Sequence, residues 1–274
     1  MIDRTRPRLP GVVRDVWAVG EAYEAYVGRW SRRVAGVFVP RLRVPAGRRW
    51  LDVGCGTGAL TGAVLATADP ARVCGVDPSA GFLASARAAV ADPRAAFVRA
   101  DARELPVAGG SVDVVVSGLA LNFVPDPARA AAEIRRVLAP GGTAAAYVWD
   151  YAEGMAMMRL FWDAAAAVDP AAAAYDEGPR FPVCTRPGLA ALWQGAGLRD
   201  VRVEPVEIPT VFRDFADFWT PFLGGQGAAP AYLASLPAGH RAAIEARLRD
   251  RLPAGPIALS ARAWSVRGTA VWQA

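Results

Sequence analysis

The residues best suited to chemistry form a glycine-rich loop, Gly54-Cys-Gly-Thr-Gly58. Glycines at alternate positions permit positive φ angles and let a ligand approach the backbone closely. The helical pattern that follows the loop would supply free N–H donors at its first turn. This spacing predicts a cofactor cradle, although a tight turn between a strand and a helix has the same composition.

Two acids follow the loop at informative positions. Asp77 comes 19 residues after Gly58, at the end of a predicted strand, where a carboxylate can accept hydrogen bonds from ribose hydroxyls. It would equally serve as a cap for the helix that starts near Ser79. Asp101 follows the next predicted strand, where it could hold the amino group of an adenine ring or be an exposed loop acid.

The elements that must position these residues alternate between strands and helices. Apolar runs predict strands at 49–53, 72–77, 95–99, 111–117 and 143–149, with late strands at 200–208 and 257–267. Helical spacing is found at 19–42, 59–68, 79–90 and 127–138. This order predicts a doubly wound, mostly parallel sheet with right-handed crossovers, and the late strands could pair as an antiparallel hairpin. In such a sheet ligands bind beyond the carboxyl ends of the strands, which is where the loop and both acids fall.

The composition excludes several kinds of chemistry. All 31 basic residues are arginine, so the lysine of a Walker phosphate loop, of a pyridoxal phosphate enzyme or of common dehydrogenases is missing. The first fifty residues hold eleven arginines against four acids. This basic segment is interpreted as a solvated face, with an anion contact as the functional alternative.

Cysteine and histidine are too sparse to predict a metal site. Cys55, Cys74 and Cys184 lie far apart, and the single histidine, His240, has no partner at metal-ligand spacing. The sparse cysteines favour a reducing compartment. Neither a signal peptide nor an apolar run long enough for a transmembrane helix is found, so a cytoplasmic location without a membrane span is expected.

Five segments in order resemble the motifs of class I S-adenosylmethionine-dependent methyltransferases. The resemblance is closest to the small-molecule branch that includes ubiquinone and menaquinone biosynthesis methyltransferases, and it covers about residues 15–150 well. It implies a Rossmann-like sheet of seven strands with a reversed C-terminal hairpin, and S-adenosyl-L-methionine as cofactor. The five segments are Leu51-Asp-Val-Gly-Cys-Gly-Thr-Gly58, Gly75-Val-Asp-Pro-Ser79, Ala100-Asp-Ala-Arg-Glu-Leu-Pro106, Asp113-Val-Val-Val-Ser117 and Val137-Leu-Ala-Pro-Gly-Gly142.

The resemblance also implies roles for individual residues. The loop would pass around the methionine part of the cofactor, Asp77 would bind the ribose, and Asp101 with Ala102 would contact adenine. Pro78 or Ser79 would pack beside that ring. Aromatics of a leading helix would close over the cofactor, unless they simply pack in the core. The cofactor-binding residues expected on this basis are Tyr23, Tyr26, Arg29, Trp30, Gly54, Cys55, Gly56, Gly58, Asp77, Pro78, Ser79, Asp101, Ala102, Leu119 and Asn122.

Candidates for catalysis and for the acceptor follow from the position of segments in the chain. Asn122, Asp150 and Tyr151 come after the fourth and fifth strands, where a general base would stand. Two insertions rich in aromatic side chains would form an acceptor cap. From these insertions we expect Met158, Trp162, Trp219 and Phe222 to face the acceptor. The predicted division is an N-terminal helical lid at 1–45, a cofactor-binding core at 46–150, cap insertions at 151–185 and 209–255, and the end of the core sheet at 186–208 and 256–274.

The function predicted is therefore methyl transfer to a small, apolar or aromatic organic acceptor. A non-catalytic cofactor-binding protein of the same fold is one alternative. A nicotinamide-dependent oxidoreductase is another, but its usual glycine pattern is G-x-G-x-x-G, whereas this chain has G-x-G-x-G. Nucleic acid is not expected as a partner, since no RNA-binding module is recognised. The sequence does not predict an oligomeric state.

Overall fold

A computed structural model of the protein describes residues 28–224 and 227–271, which are arranged around one seven-stranded sheet. Its strands are β1 Arg49–Val53, β2 Arg72–Asp77, β3 Ala95–Arg99, β4 Val112–Gly118, β5 Leu138–Trp149, β6 Leu198–Phe212 and β7 Ile257–Ala270. The spatial order is β3-β2-β1-β4-β5-β7-β6. Strands β1 to β5 pair in parallel, and β7 is antiparallel to both β5 and β6. The predicted doubly wound α/β fold with a reversed C-terminal hairpin is confirmed.

The helices lie between the strands, and several begin at a recognisable cap. Ser79 accepts a hydrogen bond from the Phe82 N–H (3.3 Å), and Asp126 accepts one from the Arg129 N–H (2.9 Å). The α-helices are α1 Arg29–Arg41, α2 Ala59–Thr67, α3 Ala80–Ala89, α4 Pro127–Val137, α5 Ala156–Val168, α6 Glu177–Arg180, α7 Arg186–Gly195, α8 Phe215–Trp219, α9 Ala228–Ser235 and α10 Ala238–Arg251. Short 3-10 helices are Leu121–Phe123, Pro170–Ala174, Pro182–Cys184 and Thr220–Gly224.

Large buried side chains join the helices to the sheet. Phe38 of α1 packs on the ring of Tyr147 in β5, with ring centroids 4.7 Å apart. Trp193 of α7 is fully buried and donates its indole N–H to the Ala144 carbonyl of the same strand (3.2 Å). Because aromatic side chains bury large apolar areas, these contacts hold both helices on the long central strand.

The two late strands are longer than predicted. The predicted strand ends at residue 208, because Pro209 interrupts the apolar pattern. In the structure, strand β6 continues through Pro209 to Phe212. As β6 is the edge strand, a proline without an N–H needs no partner on its open side and does not end the pairing. Residues 209–212 therefore belong to the sheet rather than to the predicted insertion, and β7 likewise continues to Ala270.

The two insertions fold against each other. Helices α5, α6 and α7 lie between β5 and β6, and α8, α9 and α10 lie between β6 and β7. Phe161 of α5 stacks on Phe222 at 4.7 Å between centroids, and Phe218 lies 5.6 Å from the same ring. The division into lid, core and cap stays a prediction.

Part of the N-terminal prediction lies outside the described residues. The helical pattern was predicted from residue 19, and the described helix α1 starts at Arg29. In the two described ranges every helix is too short or too polar to cross a bilayer. The same ranges contain no group of three or more histidine, cysteine or acidic side chains arranged to hold a metal ion.

Candidate cofactor site

A cavity of about 330 Å³ opens at the carboxyl ends of β1, β2, β3 and β4. This is the edge at which open α/β sheets bind ligands. Nine of the residues predicted for the cofactor line it, namely Gly54, Cys55, Gly56, Asp77, Pro78, Ser79, Asp101, Ala102 and Leu119. The structure thus brings together the loop, both acids and the turn after β4.

The glycine loop takes the backbone conformation expected from its composition. Gly54, Gly56 and Gly58 have φ angles of 74°, 53° and 88°, which favour glycine. A Cβ on Gly54 would lie 2.4 Å from the Cβ of Ala120, whereas one on Gly56 would meet open space. The N–H groups of Gly54 and Cys55 both donate to the Val76 carbonyl (2.8 and 3.0 Å), which fixes the loop to β2. Gly58 does not line the cavity but forms the start of α2.

Asp77 lies beside this loop and is nearly buried. Its carboxylate accepts hydrogen bonds from the backbone N–H groups of Gly56 (3.1 Å) and Ser79 (2.8 Å), one on each oxygen. Burial raises the pKa of Asp77, while these two bonds oppose the shift. Each oxygen keeps a free lone pair, so the carboxylate can also accept from two hydroxyl groups of a ribose.

Asp101 is more exposed and is already paired. Its two oxygens accept hydrogen bonds from the Arg103 guanidinium at 2.7, 3.0 and 3.2 Å, and from the Arg103 backbone N–H at 2.8 Å. These bonds lower the pKa of Asp101. Because four hydrogen bonds from three donor groups of Arg103 occupy its acceptor positions, an adenine amino group would have to compete with Arg103 for the predicted contact.

The turn after β4 forms the floor of the cavity. Leu119 has a φ of 59°, an uncommon value for a residue other than glycine, and its N–H donates to the Tyr147 carbonyl (2.8 Å). A Cβ on Gly118 would lie 2.5 Å from the Tyr147 hydroxyl oxygen, so the glycine makes room for this buried side chain. Tyr147 lines the cavity, and the sequence prediction missed it because residues 142–149 of its strand are all buried, so no alternation distinguishes a side chain that faces the cavity.

Other lining residues were also missed. Ser31, Phe82, Phe123, Val124 and Pro125 border the cavity. Position relative to the strands would have indicated four of them, because residues 123–125 follow β4 and Phe82 lies one helical turn after Ser79. Nothing in the local pattern of α1 indicated Ser31, whose hydroxyl donates to the Gly28 carbonyl (2.6 Å).

A buried acid lies in β1, two residues before the glycine loop. Asp52 of β1 is fully buried, and one of its oxygens accepts a hydrogen bond from the Thr61 hydroxyl (2.6 Å). Its other oxygen has no hydrogen-bond partner among the described residues. Burial raises the pKa of Asp52 to about 7, with a smaller contribution from the charge of Asp77.

The three predicted catalytic residues lie outside the cavity lining. Asn122 is buried in a 3-10 helix, and its amide nitrogen has no partner among the described residues. Asp150 forms an ion pair with Arg262, whose Nε donates at 2.7 Å, and Tyr151 lies 5.7 Å from Phe181, ring to ring. Their catalytic roles stay predictions.

The residues predicted for the acceptor are packed inside the cap. All four are less than a tenth exposed, and none lines the cavity; they are Met158, Trp162, Trp219 and Phe222. Trp162 donates its indole N–H to the buried Glu177 carboxylate (2.5 Å). Their placement therefore favours core packing, and a contact with the acceptor stays a prediction.

The predicted lid residues divide into two groups. Tyr23 and Tyr26 lie outside the described residues. Arg29 pairs with Asp217 of α8 (3.0 Å), and Trp30 packs edge-on against Phe212 (5.6 Å between centroids). Neither residue lines the cavity: Arg29 joins α1 to α8, and Trp30 packs α1 on the end of β6.

Fold and cavity together define a Rossmann-like α/β protein with a cofactor-type site at the carboxyl edge of its sheet. Residues 51–146 match the family model described as a methyltransferase domain. This segment contains the glycine loop, both acids and the turn after β4. The match confirms the predicted resemblance to methyltransferases.

Two curated relatives carry that name. The chain is 41% identical over 92 residues to a malonyl-[acyl-carrier protein] O-methyltransferase of Hahella chejuensis, covering 34% of this chain and 33% of that protein. It is 41% identical over 98 residues to a demethylmenaquinone methyltransferase of Clavibacter sepedonicus, covering 35% and 39%. The chain thus matches only between about a third and two fifths of the length of these relatives.

A solved structure shares the fold over most of the chain. Phosphoethanolamine N-methyltransferase 2 of Haemonchus contortus, in complex with S-adenosyl-L-methionine, aligns with a TM-score of 0.55 and 19% identity. The alignment covers 92% of this chain and 56% of that one. Because the two sequences are only 19% identical, this similarity is evidence for a shared fold alone.

Proposed function

We propose that the protein is an S-adenosylmethionine-dependent methyltransferase acting on a small organic acceptor. One observation carries the proposal: the glycine loop and the Asp77 carboxylate meet at a single cavity, joined by the hydrogen bond from the Gly56 N–H. The methyltransferase names of the curated relatives support the same activity.

The residues of the cavity fit this cofactor. The backbone at Gly56, which has open space beside it, would lie along the methionine part of the cofactor. Asp77 would accept hydrogen bonds from both ribose hydroxyls. Pro78 and Ser79 would lie beside the adenine ring, and Ala102 with Asp101 would border its edge. Leu119 would line the sulfonium side of the pocket.

When bound, the cofactor supplies an activated methyl group that an acceptor atom takes in an in-line displacement. The chain's own part is to position the acceptor and to exclude water, since the reaction neutralises a charge as the bond forms. Apolar side chains are available for this around the cavity, among them Leu60, Phe82, Phe123 and Val124. The proton released by a hydroxyl or amine acceptor passes to a base or to water.

The acceptor we infer is a small organic group. The names of the two relatives refer to malonyl-[acyl-carrier protein] and to demethylmenaquinone. In both names the acceptor of the methyl group is an organic molecule, which in the first is attached to a carrier protein. Asp150 and Tyr151 remain the candidates for a general base, and Asn122, whose amide is not basic, remains a candidate for hydrogen bonding to the acceptor. Movement of the turns that carry these residues would be needed to reach the cavity.

Calorimetric titration with S-adenosylmethionine, S-adenosylhomocysteine and NADH tests the proposal. We expect saturable binding of the first two and none of NADH. Asp77→Asn should weaken binding at least about tenfold, because it removes charge-assisted hydrogen bonds to the ribose. Asp69→Asn is the matched control, since Asp69 is an exposed acid outside the cavity and its φ of 43° suits asparagine.

Three outcomes would contradict the proposal: no binding of S-adenosylmethionine, a preference for NADH, or equal losses in the two variants. Transfer of a labelled methyl group to a panel of apolar acceptors then separates an enzyme from a non-catalytic cofactor-binding protein. Circular dichroism of each variant checks that a loss of binding is not a loss of folding.

A further inference from the structure

A second cavity, of about 300 Å³, lies at the opposite edge of the sheet. It is bordered by the residues that lead into β1, by the start of β4, and by residues 139–142 of β5, where the pairing with β4 is irregular. None of the described residues lines both cavities. From Arg49 to Gly54 strand β1 spans roughly 16 Å, so the two cavities are well separated.

This second cavity carries an excess of positive charge. Three arginines line it, Arg43, Arg48 and Arg267. Its one acid, Asp113, is neutralised by Arg49, whose side chain donates to both oxygens at 2.8 and 3.0 Å. These bonds lower the pKa of Asp113 to about 2, and the charge of nearby Arg48 contributes less. Among the described residues, the three lining guanidinium groups are therefore left without a balancing acid in the cavity.

Two of these arginines occupy defined positions. Arg267 donates one N–H to the Leu42 carbonyl (2.9 Å), which anchors the guanidinium between β7 and the end of α1. Arg43 follows that helix with a φ of 50°, the left-handed position at which glycine is usual.

The first residues of β5 complete the border of the same cavity. Leu138 pairs with Val112, and the next pair along β4 and β5 joins Thr143 to Val114. Pairing of β5 with β7 also begins at Thr143. Residues 139–142 thus form an irregular stretch of β5 that borders the arginines and carries no acidic side chain.

We propose that this cavity binds a small phosphorylated molecule through its phosphoryl group. Guanidinium groups donate paired hydrogen bonds that match phosphate oxygens. Three unbalanced cations suit a dianion better than a carboxylate. A cavity of about 300 Å³ has room for a small molecule, whereas a polynucleotide needs an extended basic surface.

Calorimetric titration at fixed ionic strength with glycerol 3-phosphate, inorganic phosphate and acetate tests this proposal. We expect saturable one-to-one binding of both phosphates and none of acetate. Arg48→Gln should weaken binding about tenfold, because it removes a charged donor pair. Arg241→Gln, at an exposed position of α10 outside both cavities, should bind as the unmodified protein does.

A second variant separates a loss of phosphate binding from a loss of folding. Arg43→Gly removes a guanidinium where the backbone already favours glycine, so it should fold and still lose about tenfold in phosphate affinity. S-adenosylmethionine titrations of the same variants should be unchanged, so failure at this site is distinct from failure of the proposed function.

The proposal would be overturned by non-saturable heats, by equal binding of acetate, or by equal losses in Arg241→Gln. It would also be overturned if phosphatidylglycerol vesicles or a single-stranded oligonucleotide competed better than glycerol 3-phosphate. Those outcomes would assign the arginines to a lipid surface or to a nucleic acid.

Discussion

At the scale of single residues, Asp52 is the most unusual group near the cofactor cavity. It is a fully buried acid with one hydrogen bond, from Thr61, and its pKa of about 7 reflects the cost of ionising it without solvent. An ordinary unfolded aspartate has a pKa of about 4. The folded protein therefore holds a proton on Asp52 over a pH range in which the unfolded chain has released it.

The sign of the resulting pH effect follows from this difference. The stabilising contribution of protonated Asp52 is complete below about pH 4 and is lost as the pH rises through about 7. Asp52→Asn keeps an acceptor for Thr61 and never ionises. Relative to the unmodified protein, its free energy of unfolding should rise by about 3 kcal/mol between about pH 5 and pH 8.

Urea denaturation at both pH values measures this change. Asp69→Asn serves as the control, because the Asp69 side chain is 82% exposed. If the unfolding free energies of Asp52→Asn and of the unmodified protein changed in parallel with pH, Asp52 would not have the raised pKa.

At the scale of elements, Asp150 and Arg262 connect the end of β5 to β7. The Asp150 side chain is only 4% exposed; Arg262 donates to Oδ2 from Nε (2.7 Å), and its Nη2 lies 2.6 Å from the same oxygen as an ion pair. The Asp150 N–H donates to the Arg262 carbonyl (3.0 Å), and its carboxylate also accepts from the Glu153 N–H (3.2 Å). The pair thus holds together the turn that leads from the sheet into the first cap insertion.

Breaking this pair from one side should destabilise the protein. Arg262→Met should lower the free energy of unfolding by about 2 kcal/mol, since it leaves a buried carboxylate without its cation, and Arg262 is itself partly exposed. Adding Asp150→Asn should recover part of that loss, because the charge is then removed as well.

A double-mutant cycle in urea denaturation measures the coupling. Strictly additive effects would show that the pair does not stabilise the turn. Loss of methyl transfer in Asp150→Asn at unchanged stability would instead favour the catalytic role predicted from the sequence.

At the scale of the whole molecule, α1 bridges the cofactor cavity and the cap. Ser31 of this helix lines the cavity, while the Arg29 guanidinium lies 4.6 Å from the ring centroids of Trp30 and Phe212 and pairs with Asp217. Cap position and cavity shape are therefore linked through one helix.

Arg29→Gln should accordingly affect both regions. We expect a loss of about 1–2 kcal/mol in unfolding free energy, from a half-buried ion pair and two cation–π contacts, together with weaker cofactor binding. Arg33→Gln is the matched control on the same helix, since Arg33 lies 5.2 Å from Trp30 and makes only an exposed bond to the Pro209 carbonyl. Denaturation and cofactor titration of both variants test this, and unchanged cofactor affinity in Arg29→Gln would contradict the link.

The amino-acid sequence by itself determined which chemistry-bearing segments meet at one edge of the sheet. Glycines at 54, 56 and 58 and acids at 77 and 101 could be placed at one sheet edge because strand and helix periodicity are local properties, and parallel strands end together. Strand ends were less well predicted, as β6 shows, because edge position decides whether a proline interrupts pairing.

Only the tertiary structure decided which side chains face the cavity and which fill the core. Arg29 and Asp217 are 188 residues apart, and Arg262 and Asp150 are 112 apart, so no local pattern could pair them. The aromatic residues of the cap could not be divided into core and acceptor contacts for the same reason. Periodicity indicates that a side chain is buried, but the partner that buries it comes from distant parts of the chain, and only their packing gives each residue its surroundings.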